Sequence, residues 1–476
     1  MLFNSFEFFV FFPVAVLTYF NLPPRYRTVW LLVASSLFYM AFVPAYILIL
    51  FFTILVDYFA GLAIERATGP RRKAYLWISI AANVGVLAVF KYAVFFAGNA
   101  NALLGFAGFP TDVPVLRILL PVGLSFHTFQ AMSYTMEVYR GRYRAERSFP
   151  TYALYVMFFP QLVAGPIERP QHLLPQFREV HTFNPEDATE GLRLMLWGFF
   201  KKIVVADRLA LYVNPVYTDP LSFSPLANAL ATVCFAFQIY CDFSGYSDIA
   251  IGSARVMGFR LMTNFRQPYF ATSVTDFWRR WHISLSTWFR DYVYIPLGGS
   301  RATSPRVMAN IFTVFLLSGL WHGAGWTFVV WGAIHGLVLI VERASGLTTR
   351  DGFRSPVFNL AARVSTFSIV CIAWIFFRAT SMAEAGNVLS RIFSFSWRPG
   401  ETAFIPQGVD RSDLLLMIGG VAAVLAIDLA LEKTGGLNRF AEIIPKPVRW
   451  AAYYAAVGAI LLLGVWGRRE FIYYQF

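Results

Sequence analysis

Long apolar segments, each nearly free of charge, follow one another along most of this chain and leave few structures open to it. A helix needs roughly 20 apolar residues to cross about 30 Å of hydrocarbon. Stretches of that kind occur at residues 6–22, 28–44, 46–64, 74–97 and 117–139, then at 151–164, 226–254, 307–341, 364–378, 412–431 and 451–467. On the order of ten crossings follow, with some segments too short or too long to be simple spans. Composition agrees: 57% of the 476 residues are hydrophobic, 49 are Phe, and 14% are charged, against about 25% charged in a soluble domain. A soluble enzyme is excluded. The net charge of +13 does not indicate a nucleic-acid partner, because such binders display their basic side chains on a wide water-exposed surface.

The basic residues instead report orientation. Arg25 and Arg27 lie between the first two spans, Arg66, Arg71, Arg72 and Lys73 between the third and fourth, and Arg140, Arg142, Arg144 and Arg147 after the fifth. The alternate loops, around 44–46 and 98–116, contain no Lys or Arg. The positive-inside rule makes the basic loops cytoplasmic and the N-terminus external. The first twenty residues lack a basic n-region and a small-residue cleavage site, so they read as a retained membrane helix rather than a secretory signal.

Beyond residue 150 the alternation fails. Arg255 to Arg306 holds eight Arg against Asp276 and Asp291, and the preceding polar region carries Arg169, Arg178, Arg193, Lys201, Lys202 and Arg208. Both regions read as cytoplasmic if 151–164 and 226–254 dip into the membrane and return, a geometry allowed where irregular backbone is buried in protein or lines a cavity. The prolines of FFPQLVAGPIERP (158–170) suit such a break. The expected architecture is an all-α polytopic bundle with re-entrant segments around a buried cavity, forming a single domain over 1–476. The polar connections, about 343–363 and 391–412, are too short to fold alone.

Six histidines are the most informative polar residues. His322 stands in LLSGLWHGAGW (316–326), where small neighbours leave room for a ligand or a close helix. A neutral imidazole can take a hydroxyl proton and return it, as a general base must. Ser318, four residues earlier, would share its helical face. The alternative is a buried histidine bonded across helices. His282 lies in the basic, aromatic DFWRRWHISLSTWFRDYVYIPLGGS (276–300). That segment reads either as an interfacial anchor or as a cytoplasmic mouth where Arg279 and Arg280 meet donor phosphates. His335 follows His322 by thirteen residues, about 20 Å on one unbroken helix, and reads as packing. His127 lies within an apolar span, and His172 and His181 lie in a polar segment. Asp242 and Asp248 read as a structural network, and Asp57 and Lys91 as a possible intramembrane pair. Cys234, Cys241 and Cys371 make no CxxC or zinc spacing. GYSDI (245–249) misses the last Gly of the GxSxG elbow, and neither HExxH nor a P-loop is present. No metal site is expected.

YCDFSGYSDIAIGSARVMGF, FWRRWHISLSTWFRDYVYIPLGG and SGLWHGAGWTFVVWGAIHG, in this order, resemble the membrane-bound O-acyltransferase family. The opening MLFNSFEFFVFFPVAVLTYF, the segment FFPQLVAGPIERPQHLLPQF and the ending REFIYYQF resemble its bacterial alginate O-acetylase-like branch. The resemblance covers nearly the whole chain. It implies a fold around a central funnel or tunnel, an essential histidine at His322 and a second at His282. It also implies acetyl transfer from a cytoplasmic donor, acetyl-CoA as substrate rather than tightly bound cofactor, across the bacterial inner membrane to an exported polysaccharide such as alginate. An extracytoplasmic SGNH-type acetyltransferase partner would complete the transfer. Two other classes are weighed against this enzyme: a transporter or flippase for a polysaccharide precursor, which would use intramembrane charges as a path, and a non-catalytic scaffold for a secreted modifying enzyme.

Overall fold

The computed structural model describes residues 1–109, 113–114, 120–346, 355–394, 404–466 and 471–472. The start of the expected span at 117, parts of both polar connections, and most of the ending REFIYYQF lie outside the described residues. Helices dominate, and no extended strand occurs among the described residues. Among the described residues, six helices are long and apolar enough to cross a membrane: Pro44–Arg66, Gly69–Phe106, Pro225–Val256, Trp326–Ser345, Pro356–Arg378 and Arg411–Thr434. The chain is a multi-pass, all-α membrane protein. Its contacts divide it into two compact units, Met1–Leu192 with Ala250–Met262, and Arg193–Ile249 with Thr263–Phe476.

The first unit packs apolar helices around polar groups that satisfy one another. Asp57 accepts from Ser79 at 2.6 Å and from Asn83 at 2.8 Å, and Ser79 meets Thr135 at 2.9 Å. Lys91 reaches Ser125 instead, at 3.4 Å, so the possible Asp57–Lys91 pair is replaced by two local ones. Short neutral donors on neighbouring helices can reach Asp57, whereas a long ammonium side chain is directed to a different helix. The 151–164 segment forms a helix only over Phe149–Met157, about 14 Å of rise. It then turns through Phe158–Gly165, all buried, where Gln161 and Leu162 donate backbone bonds to Phe158 and Gly165 donates to Gln161. Pro160 explains the stop, since it supplies no backbone donor for a further helical turn.

In contrast, 226–254 does not break. It lies within one continuous helix, Pro225–Val256, about 48 Å long. Asp242, Ser244, Ser247 and Asp248 find side-chain partners in the protein, so no interruption is needed to satisfy them. In the second unit the helix Pro185–Phe199 passes into a π-helical stretch, Phe200–Ala206, before Asp207–Thr218. The wider π turn buries two consecutive lysines. Lys201 bonds Asp248 at 2.6 Å and Ser244 at 2.9 Å, and Lys202 bonds Asp242 at 2.6 Å and Asp207 at 2.9 Å. The helices cross closely enough for this because both contribute glycine: a Cβ on Gly198 would stand 2.6 Å from the Gly245 carbonyl oxygen. Arg208 is likewise committed to Asp413. These three cations are therefore internal partners rather than loop charges, and the positive-inside rule does not count them.

Candidate active site

His282 is placed by two short helices of the second unit. Val274–Arg280 is capped by the Ser273 hydroxyl, which accepts from the Asp276 backbone N–H, and by Glu342, whose carboxylate accepts from the Val274 and Thr275 backbone N–H groups at 2.6 and 2.8 Å. A carboxylate at a helix N-terminus is favoured by the exposed donors and the dipole there. The helix ends in fully buried Trp281, and His282 follows with φ +44°, ψ +53° before Ile283–Phe289. A left-handed conformation at a residue other than glycine is uncommon and strained. It turns the imidazole back towards Asn264, whose Oδ1 lies 3.1 Å from His282 Nδ1. Burial lowers the His282 pKa to about 3, so the ring is neutral across the physiological range.

His322 ends the helix Ser304–His322, and Trp326–Ser345 returns against it. The segment 307–341 is therefore a helical hairpin, which corrects the 20 Å separation expected for an unbroken helix. Glycine makes the hairpin tight. A Cβ on Gly319 would lie 2.3 Å from the Phe328 carbonyl oxygen, one on Gly332 would lie 2.3 Å from the Phe315 carbonyl oxygen, and one on Gly323 would meet the Phe328 ring at 2.0 Å. The close approach presses His322 against Trp331, with ring centroids 5.0 Å apart at 82°. Trp321 at 4.9 Å and Phe377 at 5.2 Å complete an aromatic wall. Ser318 is buried one turn earlier.

The two histidines, forty residues apart in sequence, face each other with ring centroids 6.4 Å apart, and Trp321 and Phe243 also border His282, at 6.0 and 4.7 Å. His335 packs on the far partner of His322, 5.0 Å from Trp331, and its Nδ1 accepts from the Trp278 indole N–H at 3.3 Å. His127 is buried in the first unit with neither ring nitrogen hydrogen-bonded. The sequence-predicted arginines differ. Arg279 is exposed, whereas Arg280 is bound to Glu432 at 2.8 Å and to Asp276 at 3.0 Å.

Asp242 and Asp248 belong to the Lys201–Lys202 network, as expected for structural carboxylates. Burial works against the Lys202 ammonium, but Asp242 and Asp207 outweigh it and hold its pKa above the ordinary lysine value. Lys202, Asp207 and Asp242 border a cavity of about 620 Å³, together with Asn214, Gln238 and Gln407. The cavity lies by Gln407–Val409, just ahead of the Arg411–Thr434 helix, whereas Arg280 meets Glu432 near that helix's other end. Asn264, Lys201, Lys202, Trp331 and Phe377 are the residues that sequence reasoning missed. A lysine pair inside an otherwise apolar run was the one available signal; an asparagine in a short connection and aromatic residues in apolar helices carry none.

Residues 142–379 match the family described as membrane-bound O-acyltransferase, a region that contains His282, His322, Arg279, Arg280 and Asn264. The chain is 39% identical over 407 residues to a probable alginate O-acetylase of Pseudomonas putida, covering 84% of this chain and 82% of the relative. It is 38% identical over 423 residues to a peptidoglycan O-acetyltransferase of Helicobacter pylori, covering 82% and 79%. A teichoic acid D-alanyltransferase of Bacillus subtilis is 27% identical over 237 residues, 48% of this chain and 60% of the relative.

Proposed function

This chain belongs to the membrane-bound O-acyltransferase family and is an O-acyltransferase, and we propose that it carries an acetyl group from acetyl-CoA across the bacterial inner membrane for O-acetylation of an exported polysaccharide. Residues 1–476 act as one catalytic domain in this reading. The observation that carries it is the convergence of His282 and His322 at 6.4 Å inside an aromatic enclosure. That separation leaves room for an acceptor hydroxyl within a hydrogen-bonding reach of about 2.6–3.2 Å of His322, with His282 beside it.

His322 acts as the general base. It takes the proton of the acceptor hydroxyl as the oxygen attacks the thioester carbonyl; the C–O bond forms, the C–S bond breaks, and His322 returns the proton to the leaving thiolate. Water excluded by Trp321, Trp331 and Phe377 does not compete for the acyl group. His282 positions the donor or the hydroxyl. Arg279 receives the anionic donor, and Arg280, held by Glu432 and Asp276, orients that approach. The polar cavity at the opposite end of the Arg411–Thr434 helix supports an acceptor arriving from the other face. The basic loops between the early spans support an external N-terminus. Relatives named for alginate and for peptidoglycan support a polysaccharide acceptor, alginate or an alginate-like polymer, reached through an extracytoplasmic SGNH-type acetyltransferase.

Purified protein incubated with labelled acetyl-CoA and acceptor tests the reading. Acceptor-dependent CoA release is expected, and His322→Ala should reduce it by about 10²–10⁴-fold at unchanged protein abundance. Full activity in His322→Ala would overturn the base assignment. Substrate flux without CoA release would indicate transport instead, and partner-dependent acetylation surviving in His322→Ala would indicate a scaffold.

A further inference from the structure

We propose that Asn264 is the positioning residue that fixes His282 in its Nδ1–H tautomer, leaving the Nε2 lone pair to act in the chamber shared with His322. The proposal rests on the reading that His282 takes part in acyl transfer. Asn264 is 1% exposed, and every polar atom of its side chain is engaged. Its Nδ2 donates to Ser247 Oγ on the Pro225–Val256 helix at 3.2 Å. Its Oδ1 accepts from Ser284 Oγ at 2.9 Å and from the Ser284 backbone N–H at 3.3 Å.

These bonds settle which end of the amide is oxygen, a choice that depends on the surrounding network. A backbone N–H can only donate, so the atom facing Ser284 must be the carbonyl oxygen. The same oxygen faces His282 Nδ1 at 3.1 Å. An amide oxygen has no proton to give, so Nδ1 must carry one. A neutral imidazole carries one proton in all, which assigns the lone pair to Nε2.

The backbone holds this arrangement as firmly as the side chains do. The Ile283 N–H donates to the Asn264 carbonyl at 3.0 Å, and the Arg266 N–H donates to the Arg280 carbonyl at 2.9 Å. The chain is thereby tied to residues 264 and 266 on either side of His282, and these ties maintain its left-handed φ of +44°. Strained conformations persist where the surroundings over-determine them, and here they point the ring rather than fill space. An Nε2 lone pair facing the chamber stabilises the imidazolium that His322 becomes when it takes the hydroxyl proton. Asn264 thus stands to His282 as a second-layer acceptor stands to a catalytic imidazole elsewhere, setting tautomer and direction.

The test compares Asn264→Leu, Asn264→Asp and His282→Ala for acetyl-CoA turnover across pH. Asn264→Leu removes the acceptor, and kcat should fall by about 10–100-fold with KM for acetyl-CoA little changed. Asn264→Asp keeps an oxygen acceptor at the same place and should recover most of kcat near neutral pH. Its added carboxylate favours the charged imidazole, so the acid limb of the rate profile should move upward by about one to three pH units, as His282 loses its lone pair at higher pH. An Asp variant no more active than the Leu variant, or one with an unmoved acid limb, overturns the proposal even where the Leu variant fails to fold. Undiminished turnover in His282→Ala would instead remove His282 from the reaction, a failure of the functional reading and not of the tautomer assignment.

Discussion

Two buried polar regions of the second unit answer the cost of polarity in opposite ways. Around the π turn, Lys201 and Lys202 are 3% and 5% exposed at the side chain, and each is matched by carboxylates at 2.6–2.9 Å. Around the hairpin, two imidazoles stand among aromatic rings, and burial keeps His282 neutral. The first region satisfies charge with charge, which locks geometry, because withdrawing any member leaves an uncompensated ion in a low-dielectric surrounding. The second holds imidazoles, which can take and return a proton in acyl transfer. An ionisable residue inside a membrane protein is a functional candidate by default. Here the more densely charged region reads as scaffold and the sparser one is the proposed site.

The contrast breaks most sharply if the two regions are mutated in parallel. His322→Ala should lose activity by the factor given above while its thermal unfolding in detergent stays near that of the parent. Lys201→Met should do the reverse, costing about 3–5 kcal/mol of stability by stranding Asp248 while turnover per folded molecule persists. The double variant Lys201→Met with Asp248→Asn should be less destabilised than Lys201→Met alone, measured by the same unfolding assay. Equal loss of stability in His322→Ala would erase the distinction between site and scaffold.

A smaller effect joins the two behaviours. Gly319→Ala drives a methyl group to within 2.3 Å of the Phe328 carbonyl oxygen, and such overpacking typically costs about 1–3 kcal/mol. Because the same contact seats His322, unfolding temperature and turnover should fall together. A stable variant with full activity would show that the hairpin spacing does not position the base.

The smallest effect belongs to a pair in the first unit that joins a partly exposed histidine to a fully buried carboxylate. His172 Nδ1 meets Glu168 at 2.6 Å, and that hydrogen bond raises the histidine pKa despite partial burial. A raised folded-state pKa gives stability that is complete below the unfolded value of about 6.5 and is lost as pH rises through the folded value. Unfolding temperatures of the parent and His172→Gln should therefore differ in mild acid and converge in alkali. With His172 42% exposed at the side chain, solvent screening keeps the difference modest. A gap that widens with pH would contradict the assignment.

Much of this was legible before any coordinates. Apolar segment lengths identify a multi-pass helical protein, since hydrocarbon solvates no open backbone. The rarity of polar residues within those segments drew attention to His282 and His322, and the long motifs around them pointed to acyl transfer. What stayed hidden depended on partners distant in the chain. The GAG turn at 323–325 divides an apolar run that hydropathy reads as continuous, and the 226–254 run stays helical because Lys201, Lys202 and Asp428 meet its polar groups. Asn264 carries no periodic or compositional signal, as a buried amide is defined by the donors that reach it.

The amino-acid sequence alone determined the solvent of this protein, its helical class and the residue types capable of its chemistry, because those follow from local composition and spacing. Tertiary structure decided which polar residues are spent on one another and which face a shared space. Hydrogen bonds and ion pairs act over about 3 Å, a scale on which residues 264, 282 and 322 become neighbours only after the chain has folded.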